Sequence, residues 1–293
     1  MRKQNPLSKV ISPYIALMKL RVVELLLITT VPSLVMAAGK IPSITRSLVV
    51  LFAGTLAAGA SNAYNMIIER ESDRLMARTA KRPVASGEVS ETQAFVFASV
   101  LTVVSLLTMS IFVNILSTAL TASAIIIYVF GYTILLKRRT PQNIVWGGAA
   151  GCMPVLIGFA AIQNKIPLPA WAFFFVVFFW TPPHFWALAI KYRGDYEAAG
   201  IPMLPVVSPL REVLKQMWLH TMLMIAASAL LIHSIHAAWW GWVIVAVISA
   251  NFVRQLIHIK GDSAEKAAIR LFHGSITYLT ILSALLIGIV LTR

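Results

Sequence analysis

The sequence predicts an all-α fold, a polytopic transmembrane helical bundle of about nine spans, and three observations carry that expectation. Of the 293 residues, 58% are hydrophobic and 12% charged, about half the charged share of an ordinary soluble domain. Apolar runs long enough to cross a bilayer recur along the whole chain, roughly over 22–38, 45–68, 92–113, 116–136, 144–163, 168–190, 213–234, 237–257 and 271–291. The basic residues are also lopsided: with the N-terminus inside, 21 of the 25 Lys and Arg fall on the inner side of these spans and 4, namely Lys40, Arg46, Lys165 and Arg293, on the outer. That asymmetry predicts a cytoplasmic N-terminus and an outer C-terminus. It also explains the net charge of +14 without a nucleic-acid partner. In lipid the backbone must close its own hydrogen bonds, so a single helical domain over 1–293 is expected.

The chain opens on a basic stretch (Arg2, Lys3, Lys9, Lys19, Arg21) before its first apolar run. That run can span, and further spans follow, so it reads as a signal-anchor rather than a cleaved leader. Glu24, near its start, is an ionisable group at membrane depth and thus a site candidate, or else it reaches back to the interface beside Arg21.

The second span leads into NMIIERESDRLMARTAKRP (65–83). If the helix continues, Asn65, Glu69 and Asp73 lie at i, i+4 and i+8, each step turning the side chain by only about 40°, so all three share a face while Glu71 points elsewhere. Two carboxylates and an amide at a membrane boundary suit Mg2+, which completes its shell with water and substrate phosphates. Arg70, Arg74, Arg78, Lys81 and Arg82 follow, and guanidinium groups grip phosphate oxygens in pairs. Together they read as a metal-diphosphate site, or more plainly as a charged loop between two spans.

Further on, Lys137, Arg138 and Arg139 form a basic triplet, and KYRGDYE (191–197) a second mixed stretch, both on the same side as 69–82. Each alone is an ordinary topology signal; together they can cap one cavity. Cys152, the single cysteine, sits in an apolar run and reads as a packing residue. The sixth span carries Pro182, Pro183 and His184 in succession; two prolines predict an interrupted helix whose freed carbonyls line a cavity, with His184 either facing it or hydrogen-bonded within the bundle. Trp171, Trp239, Trp240 and Trp242 fall at outer boundaries and Trp218 at an inner one, as interfacial anchors do. The other histidines show no metal-ligand spacing. Neither a phosphate-binding glycine loop, a dinucleotide fingerprint, a zinc motif nor a nucleophile elbow occurs.

The stretch 65–83 resembles the first aspartate-rich motif of the intramembrane prenyltransferase superfamily that includes 4-hydroxybenzoate polyprenyltransferase, in the form used by its haem-farnesylating branch. GYTILLKRRTPQNIVWGGAAGCMPVLIG (131–158) is similar to that branch's next loop and span, and TPPHFWALAIKYRGDYEAAGIPMLPVV (181–207) to its second signature. The resemblance implies transfer of farnesyl from farnesyl diphosphate to a vinyl group of protohaem IX (haem B), with water addition, giving haem O. It implies Mg2+ at Asn65, Glu69 and Asp73, diphosphate binding by Arg78 and Arg82, and substrate contacts by Tyr132, Lys137, His184, Lys191, Arg193 and Asp195. It further implies a multi-pass protein of the bacterial plasma membrane, with its active site on the cytoplasmic side and with haem A synthase or terminal-oxidase assembly factors as partners. Two departures stand out: the leading carboxylate of the first motif is Glu69 where the superfamily usually has Asp, and the second motif keeps Asp195 but has Ala199 four residues later. A prenyltransferase with another aromatic or chlorophyll-like acceptor is the nearest alternative. A cation-coupled transporter using Asn65, Glu69 and Asp73 is the alternative of a different class.

Overall fold

The computed structural model describes residues 6–292, without the side chains of 6–10, 21, 22, 24–26 and 262, so Glu24 lies outside the described side chains. Its elements are α1 (Pro6–Met18), α2 (Leu20–Ala38), α3 (Ile44–Ile68), α4 (Arg70–Leu75), α5 (Glu91–Phe112), α6 (Ile115–Ile126), which passes without a break into a π-helix (Ile127–Leu136), α7 (Asn143–Gln163), α8 (Leu168–Lys191), α9 (Arg193–Ala198), α10 (Leu204–Val207), α11 (Leu210–Ser234), α12 (Trp239–Ile257) and α13 (Ala264–Leu291). Eight helices are long and apolar enough to cross a membrane among the described residues, and α2 adds the apolar stretch Leu27–Ala38. The chain is a multi-pass membrane protein.

α7 and α8 form the centre, buried over 72% and 67% of their spanning windows against 17% for α5, which faces outward. Lipid offers helices little hydrophobic reason to associate, so close backbone approach matters. α7 achieves it with small residues: a Cβ at Gly158 would lie 2.7 Å from the Ser33 Cβ of α2, and one at Gly148 would lie 2.8 Å from the Thr181 Cγ2 of α8. Cys152 is fully buried here, its thiol on the Gly148 carbonyl at 3.2 Å, which matches its reading as a packing residue.

Three local features differ from the sequence expectation. α1 is a helix of its own before the first span; it ends at Lys19, whose φ of 50° is left-handed. Its last turn is docked on α3, where Asn62 Nδ2 donates to the Met18 carbonyl at 2.9 Å and the missing side chain of Gly59 makes room for Met18. Pro182 and Pro183 do not interrupt α8, which runs unbroken through both. Both are buried, so packing by α7, α11 and α13 keeps the helix continuous where two ladder donors are lost. The last helix begins at Ala264 rather than near 271, because AEKAAIR is made of good helix formers that extend α13 beyond its apolar part.

Candidate active site

α3 ends at Ile68, and Glu69 stands between it and α4 with φ −97° and ψ 4°. The turn nevertheless continues, since Glu69 N–H donates to the Asn65 carbonyl at 3.0 Å and Asp73 N–H to the Glu69 carbonyl at 2.8 Å. Asn65, Glu69 and Asp73 therefore keep a common face, and all three are buried, at 2%, 4% and 3% exposure. Glu71 points outward, where it pairs with Arg70 and Arg74.

Cations from three separate segments meet this face. Arg82, brought back by the turns of 76–90, donates from one nitrogen to both Asp73 oxygens at 2.7 Å and lies 3.9 Å from Glu69 Oε2. Lys137, at the end of the π-helix, pairs with Glu69 Oε1. Lys19 donates to Asn65 Oδ1 at 3.0 Å, and Asn65 Nδ2 donates to Thr133 Oγ1 at 3.3 Å. Thr133 and Lys137, four residues apart, both reach this cluster from the π-helix and its end, where the Lys137 N–H bonds the Tyr132 carbonyl at 2.9 Å; single π segments often mark functional positions. Burial by itself would raise the Glu69 carboxyl, but Lys137, Lys19 and Arg82 outweigh it and hold the group below its ordinary value. Burial, with the Arg82 charge second, pulls the Lys19 ammonium down to about 7.

A cavity of about 350 Å³ takes in Lys19 and Arg82 and lies between α2, α3, α6, the π-helix, α7, α8 and α13. Its walls are mostly aliphatic and glycine, with Tyr128 and Tyr132 near the charged end and Thr181, His184 and Phe185 from α8. Tyr132 lies flat on α7: a Cβ at Gly147 would come within 2.1 Å of its ring. Lys137 Nζ is 5.7 Å from the same ring centroid. His184 is stacked between Trp180 at 4.3 Å and Phe272 at 4.5 Å. Its Nδ1 is 2.6 Å from Ser275 Oγ, and that hydroxyl donates its single hydrogen to the Phe272 carbonyl at 2.6 Å. Nδ1 is then the protonated nitrogen, and Nε2 keeps a lone pair with no partner among the described residues.

Of the residues singled out in the sequence, the structure thus gathers Asn65, Glu69, Asp73, Arg82, Lys137 and Tyr132, with His184 further along the cavity wall. Arg78 and Lys191 lie outside the cavity lining, their cations 5.9 and 5.8 Å from the Tyr192 ring centroid. Arg193 is exposed and donates to the Val206 carbonyl at 3.2 Å, and Asp195 is half-buried without a side-chain partner among the described residues. These two are not brought into the cluster. Lys19 was missed, its charge counted only as a topology signal; 46 positions separate it from Asn65, and no local spacing links the two.

The donors Asn65, Glu69 and Asp73 are all oxygen ligands, which fits Mg2+ in kind. Among the described residues no three His, Cys, Asp or Glu come together, so the protein offers an open oxygen face rather than a closed cage. That is the form of site in which Mg2+ takes its remaining ligands from water and phosphate.

Buried carboxylates paired with cations at the mouth of an apolar cavity define a class of intramembrane enzyme that handles an apolar chain with a charged head. A model of the UbiA prenyltransferase family matches residues 26–276, most of the chain, and the chain belongs to that family. More particularly, it is 49% identical over 277 residues to the protoheme IX farnesyltransferase of Frankia alni, covering 93% of this chain and 95% of that protein. It is 46% identical over 289 residues to the protoheme IX farnesyltransferase of Kineococcus radiotolerans, covering 92% and 85%. The fold is shared with a digeranylgeranylglyceryl phosphate synthase, at a TM-score of 0.78 and 18% identity over 97% of this chain and 99% of that one. It is shared too with a UbiA homologue from Archaeoglobus fulgidus bound to DMAPP and Mg2+, at 0.70 and 20% over 94% and 97%.

Proposed function

We propose that the chain is a prenyltransferase that moves the farnesyl group of farnesyl diphosphate onto a vinyl group of haem B, giving haem O and diphosphate. The observation that carries this reading is the junction at Arg82 and Lys19, where a cation–carboxylate cluster opens directly onto an apolar cavity. The head of an allylic diphosphate belongs at the first and its tail in the second. Asn65, Glu69 and Asp73 would hold Mg2+, which when bound neutralises developing charge on the diphosphate.

The rest is the work of the chain's own residues. Arg82, Lys137 and Lys19 pair with carboxylate or amide in the free protein and turn to phosphate oxygens when substrate arrives, stabilising the leaving group as the C1–O bond breaks toward it. Arg78 and Lys191 beside Tyr192 add to the same field. The walls exclude water from the allyl cation, and the Tyr132 and Tyr128 faces stabilise it. The vinyl group's π electrons form the new C–C bond, water adds to the resulting cation beside the pyrrole ring, and one proton is released. His184 Nε2, with its free lone pair, is the haem contact. Arg193 and Asp195 are outer contacts for the haem or the diphosphate. We place the protein in a bacterial plasma membrane as a single domain with the site at the cytoplasmic face, and haem A synthase or terminal-oxidase assembly factors are the expected partners.

The test mixes purified protein with Mg2+, farnesyl diphosphate and haem B. The expected product is a haem heavier by one hydroxyfarnesyl addition, formed together with diphosphate. Cation flux across proteoliposomes with no diphosphate release would instead favour a transporter.

A further inference from the structure

We propose that Gly54 sets the length of prenyl tail the enzyme accepts, a proposal that rests on the farnesyl-transfer reading above. On α3, Gly54, Ala58 and Ser61 all line the cavity. They fall at i, i+4 and i+7, on the face that carries Asn65 at i+11, so Gly54 stands about 16 Å along the helix from the charged cluster. A tail anchored by its diphosphate at Arg82 and Lys19 runs down this face.

The glycines along the cavity are not equivalent. Gly147 and Gly148 are covered by the side chains of Tyr132 and Thr181, whereas a Cβ at Gly54 would meet nothing within 4 Å. The space beside Gly54 is therefore empty cavity rather than a packing contact. One turn further, at Val50 and Leu51, the α3 wall ends. Gly54 is thus the last open position on α3 before its lining ends at Val50 and Leu51. A branched side chain there removes one helical turn of depth, about 5 Å, which is the reach of the last isoprene unit. Removing bulk from Leu51 extends the same space.

The experiment incubates the purified full chain with Mg2+, haem B and equal concentrations of geranyl, farnesyl and geranylgeranyl diphosphate, and weighs the prenylated haems by mass spectrometry. Wild type gives mainly the farnesyl product. Gly54→Leu is expected to raise the geranyl-to-farnesyl product ratio roughly tenfold or more, the scale on which apolar pockets discriminate by size. Gly54→Ala should give a smaller shift in the same direction, and Leu51→Ala should raise the geranylgeranyl share. Product ratios unchanged from wild type in both Gly54→Leu and Leu51→Ala overturn the proposal. Should Gly54→Leu fail to accumulate, Gly54→Ala and Leu51→Ala decide it by the same ratios. A wild type that prenylates haem with none of the three donors overturns the farnesyl-transfer reading itself, and this inference with it.

Discussion

Asp73 and Glu71 are two residues apart and chemically alike, yet one is buried under Arg82 and the other pairs with Arg70 and Arg74 in the open. Asp73→Ala should lower Mg2+-dependent turnover by about 100-fold, the order seen when one group aimed at transition-state charge is removed, while Glu71→Ala stays within a few-fold. Equal turnover of the two variants at limiting Mg2+ would remove Asp73 from the site. Arg82 is best probed with lysine, since Arg82→Ala strands the buried Asp73 carboxylate at a cost of about 3–5 kcal/mol, while Glu69 keeps Lys137. Arg82→Lys keeps the charge but loses the fork, and a weakened affinity for farnesyl diphosphate is expected; Arg78→Lys, over Tyr192, should weaken it less. His184→Ala should weaken haem binding and leave farnesyl diphosphate binding nearly intact, with each ligand titrated separately; the opposite pattern assigns His184 to the diphosphate end. At this scale the face of Asn65, Glu69 and Asp73 was legible because helical spacing survives the irregular Glu69. The tautomer of His184 was not, because it depends on Ser275, which lies 91 residues away.

Among the elements, the apolar runs announced all the spans but the start of α13 to within a few residues, because hydropathy and span length come from the same bilayer thickness. What local pattern could not announce was backbone decided by neighbours. Two prolines in α8 read as a break, and tertiary packing kept the helix whole; an ordinary-looking IYVFGYTILL became a π-helix that carries Tyr128, Tyr132 and Thr133 and ends at Lys137. The π-helix and α7 are fitted to each other at Gly147, where Tyr132 occupies the volume of a side chain. Gly147→Ala forces that ring to move, and overpacking of this kind costs about 1–3 kcal/mol. Its turnover should fall roughly tenfold, as 1.4 kcal/mol of lost transition-state stabilisation would give. If the clash is the cause, Gly147→Ala combined with Tyr132→Ala should be no worse than Tyr132→Ala alone. A further loss in the double variant would mean that Gly147 acts by some other route.

At the scale of the whole molecule, three charged loops that are far apart in sequence close over one end of the bundle. Lys137 reaches Glu69, and Arg78 reaches Tyr192, so 69–82, 137–139 and 191–193 lie on the same side of the membrane. This gathering makes the charge count more than a topology signal, because the residues that bias orientation include those proposed to hold the diphosphate. If the positive-inside rule governs, the cluster faces the cytoplasm, and the loop at Lys40 faces out. The single cysteine makes the test clean, since Cys152 is fully buried and gives little background labelling. Lys81→Cys and Lys40→Cys, both at exposed positions, are expressed separately and treated with a membrane-impermeant maleimide in intact spheroplasts and again after permeabilisation. Lys40→Cys should label in both conditions, and Lys81→Cys only after permeabilisation. The reverse pattern would place the charged end outside and require farnesyl diphosphate to be supplied from that side.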